Sequence, residues 1–518
     1  MHLVLVHGYL LQGTGSNIYV VNIAKTWKKQ GHAVTVVCQD PNANSLPFVD
    51  EFIGENDFLP DEPPAAGKMR VVVPDIKRLL PVYVFDKYDG YTVKTIPDMT
   101  SEEIEQHINL TAERLRKVCM QNVDRVLANH VLLSPVITAR ATKGLDVPYN
   151  VKIHGSAVEY TLVPNPGLMK YAIEGLREAR HIFTGTQYVK QRASEVFADY
   201  SAEMELEKKL KIVPPGMDPD IFRLPDDFQS HQERFLTKVD LAIKKNGRGR
   251  KDISIPAADQ HTIKDYNNIL HQLGQTYDQR IVDADLKERW PMLSESEPLI
   301  VYFGKFLPAK GVGELVLTIP QILKKIPQAR FLLIGFGSYR EHLEGIVQSF
   351  YTGNIDECKK CALAGDFTEG VDFEKWFRQL SRREMDRITI TGFLDHEMLK
   401  EILPLADICI VPSKWPEAFG MVAVEAMAAG VLPICNYYAG LRDVVDAAAE
   451  DMPEIRGIIS MDRDNFINLL PGKIESALDF LYPDGFSDRQ RKEQIASELR
   501  SISVKKFSWD GICRKLLD

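Results

Sequence analysis

The chain has 518 residues, more than one domain of about 150 residues accounts for, so two large or three ordinary domains are expected. Apolar residues make up 45% and charged residues 26%, a balance that excludes wholesale disorder. The 63 basic and 72 acidic residues leave a net charge of −9, which argues against sequence-independent nucleic-acid binding. No apolar run is long enough for a membrane-spanning helix, which needs roughly 18 residues or more. The opening MHLVLVHGYLL lacks a basic leader and reads as a first buried strand, not a signal peptide. The seven cysteines are an odd number, and Cys38, Cys409 and Cys435 sit inside apolar runs. That usage fits a reducing cytoplasm better than a disulfide framework.

Along the chain, short apolar runs alternate with helical stretches. Residues 2–6, 33–38, 69–73, 125–129, 181–186 and 211–215 read as strands buried on both faces of a parallel sheet. Helical stretches at 17–31 and 101–119 lie between them, and Thr100 with Glu103 forms a capping-box pattern before the second. The alternation restarts at 300–304, 329–335, 387–392, 406–412 and 431–436. Two such series predict two doubly wound α/β domains, and a cleft between such domains is the default small-molecule site. Three stretches break the pattern. Residues 40–68 read as a long loop. Residues 218–297 read as charged helices with a basic run of Lys244, Lys245, Arg248, Arg250 and Lys251, either a solvated loop or a site for an anionic partner. Residues 338–386 read as an insertion containing Cys358 and Cys361, one pair where a structural zinc site needs four ligands.

Two segments carry chemistry. Residues 12–17, Gln-Gly-Thr-Gly-Ser-Asn, follow the first strand and precede a helix, where glycines let backbone N–H groups approach a phosphate. The third glycine of a dinucleotide fingerprint is absent, with Ile18 in its place, so a plain tight turn stays open as a reading. The stronger signal is Trp415-Pro-Glu417-Ala-Phe419-Gly420-Met421-Val422-Ala-Val-Glu425. It offers a carboxylate in a loop, free N–H groups at a helix start, and a second carboxylate about a turn inside the helix.

That segment resembles the E-x7-E motif of the retaining family 4 glycosyltransferases. Other matches fall in the family's order. Phe303-Gly304-Lys305-Phe306 through Lys310-Gly311 resembles "GRL…KG", with the same five-residue step between basic positions. Ile334-Gly335-Phe336-Gly337 resembles "IGxG"; Thr391-Gly392-Phe393, Ala406-Asp407 and Val411-Pro412-Ser413 resemble later strands. Ile153-His154-Gly155 matches the "HG" beside the transferred sugar, Pro214 to Asp218 with Phe222 resembles "PNGVD…F", and Thr14 to Asn17 sits where members carry a "GG" loop. Lys305 stands where arginine is usual and gives up bidentate phosphate contact; Thr14 replaces a glycine.

The resemblance implies the GT-B fold: two facing Rossmann-like, doubly wound parallel-sheet domains with a cleft between them. Its N-terminal, acceptor-side domain would span 1–217, followed by a helical linker at 218–297. The donor domain would span 298–490 with its insertion at 338–386, and a helix at 491–518 would cross back to the first domain. It implies a retaining, metal-independent hexosyltransferase using a nucleoside diphosphate sugar, UDP-sugar foremost, and no cofactor. His154, Glu417, Lys305 and Lys310 would be catalytic. Gly15, Gly304, Gly392, Phe393, Phe419, Gly420, Met421, Val422 and Glu425 would bind the donor. Asn17, Tyr19, His130 and Tyr88, the last in the loop from Asp86 to Tyr91, are acceptor candidates. The acceptor and the oligomeric state stay open, as does peripheral membrane attachment. A sugar-nucleotide epimerase or a phosphorylase on the same scaffold, a non-catalytic nucleotide-sugar-binding subunit, and an NAD-dependent oxidoreductase are the other readings.

Overall fold

The computed structural model describes all residues except 14, 84–87, 89, 247, 259–260 and 368–369. The chain divides into two compact units, Met1–Gly216 with Phe507–Asp518, and Met217–Lys506. The 218–297 stretch therefore belongs to the second unit, and the segment expected to cross back divides at Lys506.

The strands described in the first unit are β1 (His2–Val6), β2 (Ala33–Val37), β3 (Glu51–Ile53), β4 (Met69–Val72), β5 (Leu79–Val82), β6 (Thr92–Thr95), β7 (Arg125–Asn129), β8 (Tyr149–Lys152), β9 (His181–Thr184) and β10 (Leu210–Ile212). Eight pair in the order β10-β9-β8-β7-β1-β2-β4-β3, while β5 and β6 form a separate two-stranded sheet. Every pairing is parallel; Leu3 sits opposite both Val34 and Arg125. Side chains alternate between faces, as the strand period requires. Leu3 and Leu5 pack with Val20, Ile23 and Trp27 of helix α1 (Gly15–Lys29). Val4 and Val6 pack with Ile104, Ile108 and Leu115 of α2 (Ser101–Cys119). The capping box forms: Glu103 N–H donates to Thr100 Oγ1 at 3.2 Å, and Thr100 N–H to Glu103 Oε2 at 2.9 Å.

Residues 40–68 are not loop throughout, because β3 adds an edge strand paired with β4. The strand β8 breaks the apolar rule: Asn150 and Lys152 are buried yet polar. Asn150 accepts from the His181 N–H at 3.2 Å, and the Lys152 ammonium donates to the Val213 carbonyl.

The second unit has β11 (Leu299–Lys305), β12 (Arg330–Phe336), β13 (Ile388–Gly392), β14 (Ile408–Val411), β15 (Leu432–Asn436) and the short β16 (Ser460–Met461), in the order β13-β12-β11-β14-β15-β16 and all parallel. The 218–297 stretch contributes α3 (Phe228–Lys245) and α4 (Ile263–Gly274). It is pinned by a buried ion pair between Asp283 and Arg340, the latter on α5 (Arg340–Thr352). Arg250 of the basic run is not solvated: it is 8% exposed and paired with Glu344. Cys358 and Cys361 lie on α6 (Ile355–Ala364), fully buried, with the Cys361 thiol 3.7 Å from the Tyr266 hydroxyl. Among the described residues all seven cysteines are buried and unpaired in disulfides, and no helix is long and apolar enough to cross a membrane.

Among the described glycines of this unit, Gly335 leaves the least room for a Cβ. A Cβ on Gly335 of β12 would stand 1.9 Å from the Gly304 carbonyl oxygen of β11. Gly335→Ala must spread these strands and should destabilise the unit by about 1–3 kcal/mol, measured by calorimetric melting. An unchanged melting temperature would show that the contact yields freely.

Candidate functional site

In a parallel sheet all carboxyl ends lie on one edge, and ligands bind where the strand order reverses. In the second unit β11 is flanked by β12 and β14, so that point lies between β11 and β14. The loops after these two strands touch. A Cβ on Gly311, whose φ is +68°, would come 2.1 Å from the Pro412 carbonyl oxygen, and the Lys414 N–H donates to the Ala309 carbonyl at 2.9 Å. This contact brings Lys310 against Glu417 in an ion pair, and Glu417 Oε1 also accepts from Ser413 Oγ at 2.6 Å. The Lys310 and Glu417 side chains keep 33% and 23% exposure, so solvent screens the pair.

Gly420 follows with φ +119°, and its Cβ would fall 2.5 Å from the Leu441 side chain; only glycine fits. It starts helix α7 (Met421–Ala428), whose first N–H groups have no intrahelical acceptor. Glu425, inside this helix, keeps a partly exposed edge. Burial nonetheless pushes its carboxyl up to about 8. Phe419 is buried, at 7% exposure, and Met421 and Val422 are half-buried.

The remaining donor candidates are more dispersed. Lys305 ends β11 with an exposed side chain and makes no ion pair among the described residues. Gly304 is half-buried beside it. Gly392 faces the 218–297 stretch: a Cβ there would meet Asp283 Oδ1 at 2.6 Å and Arg340 Nη1 at 2.8 Å. Phe393 stacks edge-on against Phe336 at 5.4 Å. Gly15 is exposed at the start of α1 with nothing within 4 Å of an added Cβ, so packing does not demand glycine there. Thr14, Asp86, Lys87 and Asp89 lie outside the described residues.

The first unit reverses its strand order at β1, flanked by β2 and β7. Three neighbouring strands end there in histidines: His7 after β1, His130 after β7 and His154 after β8. The His130 ring lies 4.8 Å from His154 and 6.0 Å from His7. His154 Nε2 stands 3.4 Å from Asn129 Oδ1. Burial, helped by Lys152 and His7, lowers His154 to about 3, so the imidazole is neutral at neutral pH.

Two acceptor candidates are buried against neighbouring side chains. Asn17 is fully buried and engaged by His7, with Nε2 to Oδ1 at 2.9 Å. Tyr19 is 5% exposed and wedged between His154 at 5.1 Å and Trp509 at 5.4 Å. Tyr88 stacks on Tyr9 at 6.5 Å, and His130 is buried at 4% exposure. His7 and Ser413 are the site residues that sequence reasoning passed over. The signal for His7 was present: His7-Gly8 repeats, at the first strand end, the His154-Gly155 pattern.

Glu425 yields a test of its environment. The folded carboxyl keeps its proton up to about pH 8, whereas an unfolded one releases it near 4.5. The native state therefore holds the extra proton between those values, and stability falls as pH rises through that window. Glu425→Gln should flatten the decline in melting temperature between about pH 5 and about pH 9 relative to the parent protein. Parallel profiles would mean that the carboxyl titrates normally.

Residues 286–458 match the family model described as "Glycosyl transferases group 1". An uncharacterized glycosyltransferase of Methanocaldococcus jannaschii is 25% identical over 227 residues, covering 44% of this chain and 45% of that protein. The chain thus spans about half or less of the length of the curated relatives it matches. Among solved structures, sucrose-phosphate synthase from Thermosynechococcus elongatus superposes with a TM-score of 0.54 at 17% identity, over 99% of this chain and 96% of that one. Anabaena HepE in complex with UDP-glucose gives 0.51 at 13% identity, over 100% and 98%. These likenesses establish the fold, two parallel-sheet α/β units of the GT-B type. Within the second unit, residues 286–458 are thus similar to the group 1 glycosyl transferases.

Proposed function

We propose that the protein is a retaining glycosyltransferase of the family 4 type, moving a hexose from a UDP-sugar to a hydroxyl-bearing acceptor. The observation that carries this is the Lys310–Glu417–Ser413 cluster, with Glu417 four residues before the first N–H groups of α7 at the strand-order reversal. The reaction requires a diphosphate to leave the anomeric carbon, and preorganised positive charge is the strongest stabilisation a protein can offer that departure. Lys310 and the start of α7 supply it, with Lys305 as a second cation, so no divalent metal is required. When diphosphate binds, Lys310 turns from Glu417 to the phosphate. The released carboxylate then accepts from sugar hydroxyls and opposes positive charge developing at the anomeric carbon.

Glu425 takes the ribose hydroxyls. Its environment holds the proton at neutral pH. The carboxyl accepts through its unprotonated oxygen and stays uncharged beside the diphosphate. His154 serves the reaction as a neutral hydrogen-bonding group for a sugar hydroxyl, because burial holds it far below the usual imidazole range. The reading locates the protein in the cytoplasm, where nucleoside diphosphate sugars are available, without a cofactor.

The test is thermal shift with UDP, GDP, ADP, NAD and their sugar conjugates. A ligand at 100 times its Kd adds about 2.7 kcal/mol of stability. UDP and a UDP-sugar should stabilise the protein, and Lys310→Ala should remove the effect. In turnover, Lys310→Ala should cost about 10²–10³ in rate. Product analysis should show an acceptor-dependent glycoside with the donor's anomeric configuration. Stabilisation by NAD alone, conversion of the sugar nucleotide without acceptor, or a requirement for inorganic phosphate would overturn the proposal.

A further inference from the structure

Behind His130, the first unit encloses a cavity of about 20 Å³, room for one or two water-sized groups. Gln39, Tyr83, His107, Thr111, His130 and Ser134 line it, along with apolar walls such as Val37 and Ile137. Five polar atoms on four of these residues have no hydrogen-bond partner: Gln39 Oε1, His107 Nδ1, Thr111 Oγ1 and both ring nitrogens of His130. Their residues are only 2%, 5%, 4% and 4% exposed, respectively. Each orphaned buried group is costly, and native proteins keep few of them. Several converging on one void mark a place prepared for something that hydrogen-bonds.

The chemistry of the lining limits what that can be. Both donors and acceptors are present: a hydroxyl, an amide oxygen and imidazole nitrogens. Among the described residues, no lysine, arginine, aspartate or glutamate lines the cavity. Burial lowers His107 to about 4 and drives His130 well below the imidazole range, so neither supplies positive charge at neutral pH. A phosphate or carboxylate would enter without a counter-charge, which is strongly unfavourable. The His130 backbone is held at φ +70°, a strained conformation for a side chain of that size, and its ring lines the cavity and lies 4.8 Å from the His154 ring.

We propose that this cavity receives an uncharged hydroxymethyl arm of the acceptor, which makes the acceptor a neutral sugar or polyol. The arm's methylene meets the apolar wall, and its hydroxyl bridges Thr111, His107 and Gln39. The inference rests on the transferase reading for the word acceptor, but the binding claim can be tested separately.

Saturation-transfer NMR would be run with methyl hexopyranosides, their 6-deoxy and 6-phosphate counterparts, and glycerol, with and without UDP. At least one neutral hydroxymethyl compound should bind, and loss of its hydroxyl or addition of phosphate should weaken it by about 10-fold or more. Thr111→Val, which removes an unpaired hydroxyl and so should not impair folding, should abolish that discrimination and leave UDP affinity unchanged. His107→Phe, which fills the space, should do the same. Tighter binding of the phosphorylated compounds would overturn the inference. So would a neutral panel that fails to bind, or variants that keep the discrimination, or a crystal structure in which the bound probe leaves the cavity to ordered water. Failure of UDP to bind with sugar discrimination intact would instead sink the transferase reading and leave the cavity as a sugar site.

Discussion

Parallel pairing is the constraint on which everything else depends. A strand that runs alongside its neighbours in one direction must send its chain back through a crossover connection, usually a helix, so every strand ends on the same edge as the next. In the second unit this makes the turn after β11 and the loop after β14 neighbours in space although about a hundred residues separate them. The Lys310–Glu417 pair is the product. In the first unit the same rule gathers His7, His130 and His154 from three strands. Gly311, Gly335 and Gly420 are fixed by this crowding, since each has neighbouring atoms where a Cβ would stand.

Legibility in the sequence followed burial chemistry. Strands with long apolar runs, such as those in β1, β11 and β14, were readable because water exclusion on both faces leaves few polar positions. The Lys310, Glu417 and Gly420 constellation was readable from motif order. The strand β8 was not, because Asn150 and Lys152 satisfy their polar groups through partners far away in the chain, namely His181 and Val213. The strand β3 was hidden inside a polar, proline-rich stretch because an edge position demands little apolar surface. Asn17 and Tyr19 looked like ligand contacts from their place beside the glycine loop. Their side chains turn inward to His7 and His154, and spacing along one helix does not reveal such long-range partners.

The added stretch at 218–297 shows how a long insertion is held without enlarging a sheet. Asp283 and Arg340 are fully out of solvent and paired, and Arg289 joins the same carboxylate. Such a buried pair gains little net stability over well-packed apolar groups, yet removing one partner leaves a stranded charge. Its effect is positional. It holds the stretch at the carboxyl end of β13, where Val282 bridges Gly392 and Gln279 accepts from the Gly337 N–H at 3.1 Å.

The first unit is discontinuous in sequence. Trp509, Ile512, Cys513 and Leu516 belong to the same apolar cluster as Leu3, Leu5 and Trp27, and the Trp509 ring occupies the space a Cβ on Gly216 would need. Residues made early in synthesis thus wait for residues made roughly five hundred positions later before that cluster is covered. During vectorial synthesis the apolar strip on α1 that these residues cover stays exposed to water. Completion of the first unit is thereby tied to emergence of the whole second one from the ribosome.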